Sequence, residues 1–171
     1  MKRLLASVAF AMAGVSVIAA PVLAEKPAKV AVRQDIYHLT ITYDPKRDAT
    51  SDLASAIKAA KASGKNVLLD VGGEWCSWCH ILDNYLARNK EVGDAFAASF
   101  VILKINWSPD NKNAAFLAAY PAAAGYPHFY VLDANGKLLH SQDTAKLEQG
   151  EGYNKSHMLD FAKTWRAKPA A

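Results

Sequence analysis

The sequence predicts an α/β domain in which helices cover both faces of a central mixed β-sheet. Three observations predict it. Val67 to Val71 and Phe100 to Asn106 are short apolar runs rich in strand formers, with the length of buried strands. Apolar residues at helical spacing lie before, between and after these runs. The Asn135-Gly136 pair is a strong hairpin signal near the end of the chain. The resulting order, β-α-β-α-β-β-α, buries a sheet between helical layers.

The chain starts with an address. Lys2-Arg3 form a positive n-region, Leu4 to Ala20 an apolar h-region, and Val22-Leu23-Ala24 a cleavage signature. Residues 1–24 are therefore expected to be a signal peptide cut after Ala24, with an uncleaved anchor as the alternative. Residues 25–49 read as an N-terminal arm and lead-in strand, and residues 50–171 as the folded domain. Glu25 to Arg33 is charged and aperiodic. Asp35 to Tyr43 carries β-branched and aromatic residues in partial alternation, which predicts an extra strand or an extended approach ending at Asp44-Pro45.

A helix is predicted from Asp52 to Ala62, capped by Thr50 or Ser51 and ended by Ser63-Gly64, with Leu53, Ala56, Ile57 and Ala60 on its inner face. After the first buried strand, helices are expected over Ser77 to Arg88 and Glu91 to Ala98, the latter turning Val92, Ala95 and Phe96 inward. The second buried strand is followed by a helix over Asp110 to Tyr120 and a loop over Pro121 to Gly125. Phe129 to Leu132 and Lys137 to His140 form the hairpin arms, Gly150 and Gly152 mark a loop, and Lys155 to Arg166 closes the fold as an amphipathic helix.

The chemistry gathers between the first strand and the helix after it, in Asp70-Val71-Gly72-Gly73-Glu74-Trp75-Cys76-Ser77-Trp78-Cys79-His80. Cys76 and Cys79 are the only cysteines in the chain. At a strand-to-helix junction they can close a disulfide across the first helical turn, where free backbone N–H groups and the helix dipole favour a thiolate on Cys76. Cys76 is the candidate nucleophile and Cys79 the resolving thiol. Asp70 lies in an apolar run, where burial would raise its pKa and suit it to exchange a proton with Cys79. A structural carboxylate is the alternative. Trp75 is assigned to a substrate-facing surface, and Trp78 to an apolar contact beside the disulfide or to the interior. His80 and His128 could each support a thiolate or simply pack, and Glu74 is assigned no role.

The stretch resembles thioredoxin, whose active site is a Trp-Cys-x-x-Cys after a central strand. The resemblance spans residues 50 to 166 and implies a thioredoxin-like α/β/α sandwich. Asp70 matches the family's buried carboxylate, Lys104 the lysine near it, and Pro127 a cis-proline facing the disulfide, which leaves Tyr126 backbone groups free to pair with substrate. Gly72-Gly73-Glu74-Trp75-Cys76-x-Trp78-Cys79 is most similar to secreted bacterial thioredoxin-like proteins, although Ser77-Trp78 departs from the Gly-Pro of cytosolic thioredoxin.

Composition narrows the function. Removing Lys2 and Arg3 lowers the formal charge from +4 to +2, and no basic stripe marks a nucleic-acid surface. An exported chain meets an oxidising compartment, periplasmic or extracellular, where a close cysteine pair is a structural loop, a redox site or a cofactor anchor. Cys76-Ser77-Trp78-Cys79-His80 also fits the c-type haem attachment pattern, with His80 and Met158 as axial candidates. Cys76, Cys79 and His80 could instead hold copper(I) or zinc incompletely. The leading reading is a periplasmic thiol–disulfide oxidoreductase that reduces disulfides of exported proteins. It would draw electrons from a membrane-embedded donor and need no cofactor beyond the Cys76–Cys79 disulfide. Disulfide oxidation or isomerisation, or a non-redox metal- or peptide-binding module, are the alternatives.

Overall fold

A computed structural model describes residues 33–168. The proposed signal peptide and most of the charged arm lie outside these residues. Among them, no helix is long and apolar enough to cross a membrane.

Four strands form the main sheet in the order β2-β1-β3-β4. They are β1 (Asn66–Gly72), β2 (Phe100–Asn106), β3 (His128–Leu132) and β4 (Leu138–Asp143). β1 runs parallel to β2 and antiparallel to β3, which pairs antiparallel with β4, so the sheet is mixed. The pleat sends alternate residues to opposite faces. Leu68, Ile102, Phe129 and Val131 lie in one core with α2 (Ser77–Arg88), α3 (Lys90–Ser99) and α5 (Lys155–Thr164). Leu69, Leu103, Tyr130 and Leu132 lie in the other with α1 (Ala49–Ser63) and α4 (Ala114–Leu117). This is the expected α/β/α sandwich.

The helices begin where side chains can satisfy their first N–H groups. Asp48, rather than Thr50 or Ser51, caps α1 by accepting from the Ser51 N–H at 2.9 Å. Thr50 and Ser51 already lie inside the first turn, and the Asp48 carboxylate is the stronger acceptor. Gly64, with φ +65°, ends α1 in the left-handed conformation that suits glycine. α2 spans the predicted residues, α3 gains one residue at each end, and α5 stops at Thr164.

Three predicted elements differ. Asp35 to Tyr43 is not a strand: Gln34–Ile36 is a 3₁₀ turn, and Tyr37 makes a single bridge to Ile102 on the edge of β2. Ile36 and Tyr37 are consecutive and both buried, which breaks the two-residue period a strand needs, and the Thr42 N–H turns back to Thr40 Oγ1. The helix expected from Asp110 shrinks to α4 because asparagines capture the local backbone. Asn106 Nδ2 donates to the Asn111 carbonyl, Asn111 Oδ1 accepts from the Asn113 N–H, and Asn113 Nδ2 donates to the Asn106 carbonyl. The Gly150 loop joins a small hairpin, β5 (Glu148–Gln149) and β6 (Gly152–Tyr153).

The hairpin after β3 turns at Asp133-Ala134-Asn135-Gly136, with Gly136 N–H donating to the Asp133 carbonyl and Gly136 alone among these at positive φ. The Asp133 carboxylate accepts from the Asn135 and Lys137 N–H groups. This Asx-type turn replaces the two-residue Asn-Gly turn. Asp48→Ala is expected to cost about 1 kcal/mol, the usual loss of a helix cap. Urea unfolding of the variant against wild type measures it.

Candidate active site

β1 ends at Gly72, and the chain turns through Gly73 and Glu74 to enter α2 at Cys76. The turn is pinned on both sides: the Trp107 N–H donates to the Gly72 carbonyl at 2.5 Å and the Cys76 N–H to the Gly73 carbonyl at 3.0 Å. A side chain at Gly73 would sit 2.8 Å from the Trp107 carbonyl, so backbone approaches backbone where only glycine fits. Cys76 is the N-cap of α2, and its Sγ accepts from the Cys79 N–H at 3.1 Å. Cys76 and Cys79 are joined by a disulfide, with Cα atoms 5.3 Å apart. Both are buried, and Cys76 is slightly the more accessible. The helix N-terminus and this N–H favour negative charge on the Cys76 sulfur once the bond opens.

Beneath the disulfide lies a buried ionic cluster. Register pairs Asp70 of β1 with Lys104 of β2, and the pleat turns both toward α2. Lys104 Nζ lies 3.4 Å from Asp70 Oδ2 and donates more closely to Asp83 of α2, at 2.8 and 3.1 Å to its two oxygens. Tyr37 donates its hydroxyl to Asp83, and Lys104 Nζ sits over the rings of Tyr43 at 3.9 Å and Tyr37 at 4.7 Å. Burial pushes the Asp70 pKa up, with the Lys104 charge only partly offsetting it. Desolvation also pushes the Tyr37 and Tyr43 hydroxyls well up. Two carboxylates share one ammonium here, and Asp70 is the more loosely bonded of the two.

An aromatic surface flanks the disulfide. Trp75 is 53% exposed, its indole N–H donates to the Trp107 carbonyl at 2.7 Å, and its ring meets Trp107 and Tyr126 edge-on. Trp107 and Tyr126 stack with centroids 4.8 Å apart, and Tyr126 packs against the cysteine cluster. The Tyr126–Pro127 peptide bond is cis. The Pro127 carbonyl accepts from the Thr144 hydroxyl at 2.5 Å. Trp78 is half-buried, touching the cysteine cluster on one side and meeting Tyr153 edge-on.

The structure thus brings Cys76, Cys79, Trp75, Trp78 and Tyr126 together, with Asp70 and Lys104 directly below. The histidines separate. His80 is exposed and its Nε2 is 2.8 Å from the Glu74 carbonyl oxygen. His128 is buried on the sheet face opposite α2, against Tyr130, with Nε2 2.9 Å from Ser141 Oγ. Burial lowers its pKa, so it is a neutral packing histidine rather than a thiolate partner. Met158, the haem-ligand candidate, is fully buried in the α2-side core. Glu74, assigned no role from sequence, accepts from the Tyr43 N–H at 2.8 Å and ties the lead-in to the site.

Asp83, Tyr43, Tyr37 and Trp107 were not singled out by sequence reasoning. Asp83 did carry a signal: it lies four residues after Cys79, on the helix face shared with Leu82 and Leu86. The tyrosines reach the site only through tertiary packing.

Residues 48–134, just over half of the chain, match the profile of a family described as Thioredoxin-like. Spermatogenesis-associated protein 20 of Homo sapiens is 28% identical over 76 residues, 42% of this chain and 10% of that protein. The thiol:disulfide interchange protein DsbD of Vibrio cholerae is 30% identical over 87 residues, 51% of this chain and 14% of that protein. The chain therefore matches only a small part of each of these relatives. Among solved structures, the disulphide isomerase from Xylella fastidiosa superposes with TM-score 0.62 at 27% identity, covering 74% of this chain and 97% of that one. The oxidised C-terminal domain of DsbD from Neisseria meningitidis shares the fold, with TM-score 0.52 at 22% identity, over 70% of this chain and 97% of that domain.

Two expectations follow. A Cβ at Gly72 would lie 2.5 Å from Cys79 Sγ and 3.1 Å from the Tyr43 ring, so Gly72→Ala should lose about 1–3 kcal/mol of stability in denaturant titration. Because folding raises the Asp70 pKa, the native state binds this proton more tightly than the unfolded chain does. Its contribution is fully present below the ordinary carboxyl pKa of 3.8 and is lost as pH rises through the raised value. Asp70→Asn should therefore raise the melting temperature of the oxidised protein more at pH 7.5 than at pH 4, measured by thermal unfolding at both.

Proposed function

The chain belongs to the thioredoxin-like family and carries the active-site disulfide of a thiol–disulfide oxidoreductase, and on that premise we propose that it reduces disulfides of exported proteins in the periplasm. The observation that carries the direction is the buried cluster under the disulfide. Asp70 and Asp83 together outweigh the single charge of Lys104, so the field at Cys79 disfavours a thiolate. With Cys79 held as a thiol, the only charge stabilised in the reduced pair is that on Cys76, by one hydrogen bond and one helix N-terminus, whereas strong oxidants are those that stabilise the reduced form further.

In this reading the Cys76 thiolate, held at the α2 N-terminus, attacks a substrate disulfide and forms a mixed disulfide. Cys79 then attacks Cys76 and releases the reduced substrate. Asp70 exchanges a proton with Cys79, and Lys104 limits how far the Asp70 pKa rises. Trp75, Trp78 and Tyr126 contact the substrate chain around its cysteine, and the backbone of Tyr126 beside Pro127 pairs with it. The signal sequence read in residues 1–24 supports export, and a membrane-embedded donor returns electrons to the pair. The similarity to the Xylella disulphide isomerase supports isomerisation as the second reading.

Equilibration of the Cys76–Cys79 pair in glutathione buffers, read by thiol alkylation, tests the direction. The expected potential is about −230 mV or below, in the range of reducing members of this chemistry. A value near about −120 mV would make the protein an oxidant and overturn the direction. The absence of any reversible transition would remove the redox function. Cys79→Ser should accumulate the mixed disulfide with a disulfide-bonded protein, because the resolving sulfur is gone.

A further inference from the structure

Tyr126 packs against the disulfide, yet the chain just before it does little to hold it there. Residues 121–125 are mostly exposed, and a side chain at Gly125 would meet nothing within 4 Å. The Tyr130 hydroxyl donates to the Pro121 carbonyl at 2.5 Å, at the far end of this loop. Two contacts fix the segment itself. The Trp107 ring stacks on the Tyr126 ring, with centroids 4.8 Å apart. The Thr144 hydroxyl donates to the Pro127 carbonyl at 2.5 Å, and both residues are buried.

This second contact stands where the sheet cannot supply one. Antiparallel register sets His128 opposite Asp143, which brings Pro127 opposite Thr144. Pro127 has no N–H to give, and Thr144 starts the 3₁₀ turn Thr144–Leu147, so the backbone ladder ends here. The Thr144 side chain extends the pairing by one residue. A β-branched side chain has few rotamers, so the buried hydroxyl keeps one direction. The Asp143 carboxylate accepts from the Ala145 N–H at 3.1 Å and steadies the turn from which Thr144 projects.

We propose, on the strength of the redox reading, that Thr144 is a positioning residue that sets the Tyr126 backbone for pairing with an extended polypeptide. The ring of Pro127 locks its φ, and the hydrogen bond from Thr144 holds its ψ. The Tyr126 carbonyl therefore keeps a set direction beside the disulfide. Strand-type pairing needs this, because hydrogen bonds weaken steeply once donor and acceptor fall out of line. A polypeptide whose cysteine lies in an extended stretch uses the Tyr126 backbone, whereas a small disulfide without peptide groups does not. Thr144 thus carries a preference for polypeptide disulfides and leaves the sulfur chemistry of Cys76 and Cys79 untouched.

Thr144→Val keeps the shape and removes the hydroxyl, and Thr144→Ser keeps the hydroxyl. Reduced protein is reacted with two probes and quenched at intervals. One is hydroxyethyl disulfide; the other is an unstructured peptide dimerised through a single central cysteine. Thr144→Val should raise the half-saturating peptide concentration about five- to tenfold, the worth of about one hydrogen bond, with the limiting rate nearly unchanged. Its rate constant with hydroxyethyl disulfide should stay at the wild-type value, and Thr144→Ser should restore the peptide reaction. Equal slowing with both disulfides would mark a purely structural role and overturn the proposal. An unchanged peptide reaction, or a serine variant as impaired as the valine one, would overturn it too. The wild-type protein gives a measure that does not depend on any variant folding. Methylating the amides that flank the peptide's cysteine should raise its half-saturating concentration to a similar extent. A peptide indifferent to methylation removes the pairing that Thr144 serves, and the proposal with it. Wild-type protein that reacts with neither disulfide overturns the redox reading itself, whereas reaction with both and no effect at Thr144 overturns only the positioning role.

Discussion

A buried ammonium cannot be left unpaired, and the active half of this fold is arranged around that of Lys104. Its partners come from separate parts of the chain. Asp70 faces it across the β1–β2 register, Asp83 descends from α2, and the rings of Tyr37 and Tyr43 cover it from the lead-in. Slipping β1 against β2 by one residue would turn Asp70 to the opposite core, and rotating α2 would withdraw Asp83. The same contacts that satisfy the charge therefore set the strand register and the roll of α2. That roll places Cys76 at the helix N-terminus and Cys79 one turn deeper.

The two ends of the disulfide consequently meet different environments. Cys76 has a helix N-terminus and an N–H group to stabilise negative charge. Cys79 has an apolar wall, the Tyr43 ring and a carboxylate-rich cluster. This asymmetry favours negative charge on the first sulfur over the second. The α1 side of the sheet contributes none of this chemistry; it supplies the core that keeps the strands in place, and His128 belongs to it. The outer flank of the disulfide is a different kind of surface, built from Trp75, Trp107 and Tyr126 held by ring stacking and one indole hydrogen bond.

Elements with strong local codes were legible in the sequence. Strands β1 and β2 announce themselves as apolar runs, α2 and α5 as amphipathic stripes, and the Cys76–Cys79 pair as a motif whose position at a strand–helix junction carries its chemistry. Elements governed by side-chain competition were not legible. The Asn106, Asn111 and Asn113 network dissolves most of a predicted helix, and Asp48 takes the capping role from its neighbours because its carboxylate reaches the Ser51 N–H. The lead-in looked like a strand because its composition is strand-like, but burial of the adjacent Ile36 and Tyr37 prevents alternation.

By itself the sequence determined the α/β order, the redox pair and the presence of a carboxyl in an apolar strand, since each is written within a dozen contiguous residues. The resemblance placed Lys104 near Asp70, but tertiary structure alone decided how Lys104 divides its bonds and what touches Cys79. Lys104 is 34 residues from Asp70 along the chain and spends its closest hydrogen bonds on Asp83. The hydrogen bond between Tyr43 and Glu74 spans 31 residues and holds the tyrosine at the disulfide. Contacts at such separations follow from how layers pack and how buried charge is shared among whatever groups the fold brings within reach, and no local pattern of residues encodes that sharing.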